Sequence, residues 1–240
     1  MNITRSTVQP ATRPPRARDW DTIRTSAAGL SLILSPLLLT AAFVIVPTTA
    51  SDPDTALDVI THQPTRWYLF GLLQLLSYLL LVPATLGLVH LAHPRSPAWA
   101  DLGGALAVLG AITSVADTRL WVFAQQQMAT PAADRPQMVA LVHRLDQAMS
   151  GSLPFILGSL ALVIGTVVLA IGLYRSRAVP APAAAAIGVG MIGTFVAWFA
   201  SSQPTLIAAS VVLLAGYGWI GVQLLRQPHQ DRGPIPAPSN

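Results

Sequence analysis

The sequence predicts an all-α fold, a polytopic membrane protein built as a six-transmembrane-helix bundle with two short amphipathic helices in its outer loops. Three observations predict it. Of the 240 residues, 52% are hydrophobic and only 10% charged, against about 25% charged in an ordinary soluble domain. The apolar residues gather into six runs of about 17 to 25 residues, the length a helix needs at 1.5 Å per residue to cross a hydrocarbon core of about 30 Å. The links between the runs are too short to hold a soluble domain.

The runs follow in order. Residues 1–26 are rich in Arg, Pro, Thr and Ser and are expected to be a disordered cytoplasmic N-terminus. The transmembrane domain covers residues 27–225, with spans at 27–46, 67–90, 99–123, 152–174, 183–199 and 205–225. The tripeptide TTA before Ser51 imitates a signal-peptide cleavage site, but the first run is longer than the 7 to 15 or so apolar residues such a peptide carries, so it is expected to stay as a span. The loop SDPDTALDVITHQPTRW offers Asp52 as a helix cap and Pro53 as a first residue, with Ala56, Leu57 and Ile60 on one narrow apolar face. The loop ATPAADRPQMVALVHRLDQAM spaces Met138, Leu141, Val142, Leu145 and Met149 as a second face, with Arg144 and Asp146 opposite. Residues 226–240 form a Pro-rich tail, again expected to be disordered and cytoplasmic.

Orientation follows from arginine. Arg5, Arg13, Arg16, Arg18, Arg24, Arg95, Arg175, Arg177, Arg226 and Arg232 fall on one side, while Arg66, Arg135 and Arg144 fall on the other, with Arg119 near them. The positive-inside rule therefore predicts both termini in the cytoplasm of a bacterial cell, the protein crossing its plasma membrane several times. Trp20, Trp99, Tyr174 and Trp219 at the inner ends and Trp67, Trp121 and Trp198 at the outer ends read as aromatic belts.

All fourteen basic residues are Arg, all ten acids are Asp, and Cys is absent. This removes Lys Schiff bases, Glu general bases, thiol chemistry and thiolate metal sites. The arginines are dispersed and lack interleaved aromatics, so no nucleic-acid partner is expected. No cofactor and no catalytic set is identified.

The stretch SVADTRLWVFAQQQM, residues 114–128, carries the one candidate intramembrane charge. Ser114, Asp117, Thr118, Trp121 and Gln125 recur at helical spacings of three and four, a polar stripe directed into the bundle. Arg119 points elsewhere, with its head within snorkelling reach of the interface. Gln74 and Tyr78 of the second span lie at comparable depth, so Gln74, Tyr78, Ser114, Asp117 and Thr118 form a candidate polar pocket. Either Asp117 is a structural clamp accepting hydrogen bonds from the second span, or it serves a ligand or a proton. Asp58, His62, His143 and Asp146 read as a solvated outer rim. In HLAHPRSPAWAD, His90, His93 and Asp101 are weak candidates for a metal site. Pro83 frees a carbonyl within the second span.

The most regular pattern is Gly151, Gly158, Gly165 and Gly172, one every seven residues, a seam for close helix packing. Gly103, Ala107 and Ala111 of the third span, and Ala186, Gly190 and Thr194 of the fifth, offer small faces to meet it.

The order of these features, with the strings RLDQAMSG after the second outer helix and YRSRAVP after the glycine-rich span, resembles uncharacterised bacterial six-helix proteins of domain-of-unknown-function family 4386. The resemblance covers about residues 27–225. Gln147 and Ala148 follow Asp146 where family members carry a His, and the resemblance implies no established activity. The expected function is that of a non-enzymatic membrane component in the lipid bilayer, binding a lipid, a small hydrophobic molecule or a membrane partner protein. The alternatives are a transporter or exporter subunit using the Asp117 stripe and, behind it, an intramembrane enzyme.

Overall fold

The computed structural model describes residues 15–46, 53–130, 134–150, 153–200 and 202–226. They form α1 (Pro15–Ile45), α2 (Pro53–His62), α3 (Pro64–Ala92), α4 (Pro97–Thr118), a π turn (Arg119–Phe123), α5 (Ala124–Met128), α6 (Arg135–Ser150), α7 (Leu153–Arg175), α8 (Ala181–Phe199) and α9 (Gln203–Arg226). No strand occurs among the described residues. Six segments are long and apolar enough to cross a bilayer: Ile23–Ile45, Pro64–Ala92, Pro97–Met128, Ile156–Arg175, Ala181–Phe199 and Gln203–Arg226. The short α2 and α6 are the amphipathic pair.

α1 begins at Pro15, upstream of the span expected from residue 27. Proline is pre-set for the first helical position, and once a long span has nucleated a helix, extending it outward costs little.

The long helices close into a ring in which α1 packs on α3, α3 on α4, α4 on α7, α7 on α8, α8 on α9 and α9 back on α1. The outside of the ring is hydrocarbon: Leu30, Leu86, Leu109, Leu157, Val189 and Val196 are all more than half exposed. Such a surface calls for lipid, not water.

Lipid tails are as apolar as leucine, so the helices are drawn together by close packing of small residues. The tightest seam is between α4 and α7. A Cβ on Gly103 would stand 2.6 Å from the Leu169 nitrogen, and one on Gly165 would stand 2.7 Å from the Leu106 carbonyl carbon. Gly110 abuts the Leu162 backbone, Gly158 abuts the Thr113 side chain, and a Cβ on Gly172 would stand 3.0 Å from that of Trp99. Gly151 lies outside the described residues. The α8 face takes a different partner from the one the sequence suggested: Gly190 faces the Leu213 nitrogen of α9 at 2.7 Å, not α7. Gly221 closes α9 on α1 in the same way, 2.7 Å from the Gly29 carbonyl oxygen.

Both ends are tied by polar contacts. At one end Arg95 donates to the Ser176 carbonyl at 3.2 Å, and the Arg175 guanidinium lies 5.6 Å from the Trp99 ring centre, within cation–π range. At the other, Gln203 donates to the carbonyls of Phe43 and Val46, both at 3.3 Å. Those groups end α1 without intrahelical partners. α2 buries Leu57 and Ile60. The Thr61 hydroxyl bonds the Ala129 carbonyl at 3.0 Å. Arg135 of α6 bonds the Asp54 carboxylate at 2.9 Å and its carbonyl at 2.7 Å. Together α2 and α6 cap the end of the bundle over α3, α5 and α7.

Gly165→Ala puts a methyl group into the α4 backbone and is expected to cost about 1 to 3 kcal/mol. Gly218→Ala meets nothing within 4 Å and is expected to be neutral, or stabilising by up to about 1 kcal/mol through helix propensity. Thermal unfolding in detergent checks both, and equal midpoints would contradict the close approach.

Candidate functional site

All six long helices contribute to one central cavity of about 400 Å³. Its wall is mostly apolar. Leu39 and Phe43 come from α1, Leu81 from α3, Leu162 and Val163 from α7, Met191 and Phe195 from α8, and Leu213 from α9. Polar atoms gather at Gln74, Tyr78, Ser114 and Asp117, so four of the five residues of the candidate polar pocket share this wall. The fifth, Thr118, is buried off the wall, its hydroxyl turned back onto the Ser114 carbonyl at 2.8 Å.

The polar groups of the wall differ in what they leave free. Ser35 and Ser77 join α1 to α3 by a reciprocal pair, the Ser35 hydroxyl donating to the Ser77 carbonyl at 3.0 Å and the Ser77 hydroxyl to the Ser35 carbonyl at 2.8 Å. Ser114 donates to the Gly110 carbonyl one turn back, at 2.9 Å. The Tyr78 hydroxyl pairs with the Gln74 side chain one turn away on α3. Tyr217 of α9 pairs with Thr166 of α7, one turn beyond the last α7 residue on the wall. Asp117 is the exception. It is half-buried, and its carboxylate makes no hydrogen bond or ion pair with any described residue. Gln74 and Tyr78 stand beside each other on α3 and close to Asp117, and no hydrogen bond joins either of them to its carboxylate.

Directly after Asp117 and Thr118 the helix widens into the π turn. Such single turns insert a residue and leave the regular carbonyl ladder. Across this turn Trp121 still reaches the cavity wall and Gln125 is buried, as the inward stripe predicts. Trp67 stands against the turn. It is only 4% exposed, it donates its indole N–H to the Val122 carbonyl at 2.9 Å, and its ring lies 5.5 Å from that of Phe70. Gly71 lets Val122 approach, since a Cβ there would stand 2.5 Å from Val122 Cγ1. Trp67 and Trp121 therefore face inward and are not an outer aromatic belt, whereas Trp198 is half exposed and Trp99 and Trp219 are also exposed. The side chains of Trp20, Arg119 and Asp146 lie outside the described part.

The other candidates stay apart from the cavity. His93 Nε2 lies 3.6 Å from Asp101 Oδ2, both groups exposed, and no group of three potential metal ligands forms among the described residues. His62 faces Asp58 at 3.5 Å on the exposed rim.

The sequence profile described as a domain of unknown function, DUF4386, matches residues 27–226. The chain belongs to the DUF4386 family. No curated protein and no solved structure matches it. In this DUF4386 chain, sequence reasoning missed the Ser35–Ser77 pair and Tyr217. Ser31 and Ser35, one helical turn apart in an apolar span, were a legible signal for the first. The π turn left no such signal.

Trp67→Phe keeps an aromatic ring, removes the donor to the Val122 carbonyl and leaves a space where the rest of the buried indole stood. We expect a loss of at least about 0.5 to 1.5 kcal/mol, the worth of one such bond, with the cost of the space added, read as a lowered unfolding midpoint in detergent. An unchanged midpoint would mean the indole does not hold the π turn.

Proposed function

We propose that this DUF4386 chain is a non-enzymatic component of a bacterial plasma membrane that binds a small hydrophobic molecule in its central cavity. Asp117 anchors a positively charged or strongly hydrogen-bonding group of that molecule. The observation that carries this is the Asp117 carboxylate, without a hydrogen-bond or ion-pair partner among the described residues, on a mostly apolar wall. A cavity of about 400 Å³ is within the usual range for small-molecule sites, which pair an apolar lining with a few directing polar groups. An ionisable residue within a membrane span marks a functional site by default.

A second reading, in which the bound molecule is also moved across the membrane, draws on the helix irregularities at this level. Pro36 lies on the wall, and the π turn follows Asp117. Both interrupt regular backbone bonding where a helix could bend.

Decylamine and decanol, which share a chain length and differ in charge, test the binding role. The amine is expected to raise the unfolding midpoint of the parent, by the equivalent of about 2.7 kcal/mol at a hundred times its dissociation constant. Asp117→Asn, which keeps the side-chain volume, is expected to bind the amine at least about tenfold more weakly, about 1.4 kcal/mol, and to leave decanol unaffected. Equal responses of parent and variant to the amine would remove Asp117 from the site.

For orientation, the Arg-bearing turns that join Arg95 to Ser176 share an end of the bundle with both termini, as six crossings require. We assign that end to the cytoplasm. A fluorescent protein fused after Asn240 is expected to fluoresce in the cytoplasm, and a periplasmic phosphatase active at that position would reverse the assignment.

A further inference from the structure

We infer that the cavity is entered sideways from the bilayer, between α7 and α8, and that its ligand is a membrane-dissolved cationic amphiphile with a single hydrocarbon chain. This rests on the binding role proposed above and adds the route and the class of molecule.

The seams of the ring are unequal. In those sealed by glycine, a Cβ on Gly87, Gly103, Gly190 or Gly221 would stand 2.6 to 2.7 Å from the neighbouring helix. On the α7–α8 seam, a Cβ on Gly188 would find only the Ala170 Cβ, at 3.9 Å. Here the two helices pack less closely, and a mostly apolar depression of about 410 Å³ lies between them, lined by Val167, Ala170, Ala184 and Gly188 among others. Further along the same helices, Ser159 and Val163 of α7 and Thr194 and Phe195 of α8 line the central cavity. The cavity wall continues to Trp198 and Phe199 at the end of α8, which are 50% and 70% exposed. One wall thus runs from Asp117 to side chains on the outside of the bundle.

Among the described residues, contacts lie across three other routes. The capped end is held by α2, with Leu57 and Ile60 buried beneath it and the Asp54–Arg135 ion pair across it. Away from the cap, the Tyr217–Thr166 pair bridges α9 and α7. On the side of α1, the Phe43 and Trp198 rings meet with centres 6.5 Å apart. The chemistry of the wall selects the ligand. Asp117 is its one charged group and has no ion-pair or hydrogen-bond partner among the described residues, which calls for a cationic or donor head, and the apolar remainder takes a hydrocarbon chain.

The test uses the full chain in phosphatidylcholine vesicles, with decylamine brominated at its tail, a quencher for Trp121 and Trp198 on the wall. The natural chain has no Cys, so introduced pairs react alone. One variant carries Ser159→Cys with Thr194→Cys, joined by a bifunctional maleimide whose spacer contains a reducible bond. The other carries Asp54→Cys with Arg135→Cys, joined in the same way. Each variant is measured before and after its spacer is cleaved. We expect the α7–α8 link to slow the onset of quenching about tenfold and cleavage to restore it, while the link across the cap changes nothing. Slowing by the cap link alone, or by neither link, would overturn sideways entry and leave binding in place. Absence of Asp117-dependent quenching in the unlinked protein would overturn the binding role itself.

Discussion

The close approach of α4 and α7 decides where this protein can hold charge. In a bilayer no hydrophobic force gathers helices, so association depends on dispersion contacts that are worth little individually and need backbones close together. Gly103 and Gly110 of α4 supply that closeness against Leu169 and Leu162. The same seven-residue stride arrives next at Asp117. The face of α4 that must meet α7 is therefore the face that carries the carboxylate, and the packing that stabilises the pair turns Asp117 away from lipid. With a larger residue in the seam, the wall contributed by Ser159, Leu162 and Val163 would move away from it.

Past Asp117 the regular ladder is interrupted. Trp121 and Gln125 continue the inward stripe, but they do so across an inserted π turn. It is held by contacts remote in sequence: the Trp67 indole on the Val122 carbonyl and the space Gly71 leaves for the Val122 side chain. Irregular backbone at membrane depth is tolerated where protein or a cavity satisfies it, and here Trp67 does so directly. α2 covers the same region, so the cap, the turn and the cavity wall form one connected assembly.

This explains what the sequence could and could not disclose. Hydropathy and length gave the six crossings, because a span must bury its backbone along its whole length whatever surrounds it. The glycine repeat of α7 was legible for a similar reason: a stride of seven is a property of one helix. The partner of such a face was only half legible, since Gly190 has a small face equally suited to α7 or α9 and the ring order chose α9. Trp67 reads from its place in the sequence as an interface residue, and Trp121 both as one and as part of the inward stripe, because a position near a span's end does not say whether the indole turns out or in. Gln74, Tyr78, Ser114 and Asp117 could be placed at a common depth by counting residues. That Tyr78 pairs with Gln74 and leaves Asp117 open depends on rotamers and on five other helices. The cavity itself belongs to no single segment.

The state of each polar group on the wall then limits what the cavity can recognise. Ser35 and Ser77 satisfy each other, Ser114 spends its proton on its own helix, and Tyr78 is engaged by Gln74. None of these is a ready donor for an incoming carbonyl, ester or carboxylate. Fully buried polar side-chain atoms among the described residues are all satisfied, so a neutral acceptor is left with the Ser159 hydroxyl and the Trp121 indole on this wall. Asp117 asks for the opposite. An ionised carboxylate beside apolar surface is costly unless it is paired, and a ligand that brings a cation offsets that cost while its chain covers leucine and phenylalanine. The discrimination comes less from attraction than from the unpaired group left behind when the wrong head is bound. Amines and other donors should therefore be separated from esters and acids of equal chain length by more than any difference in chain length could achieve.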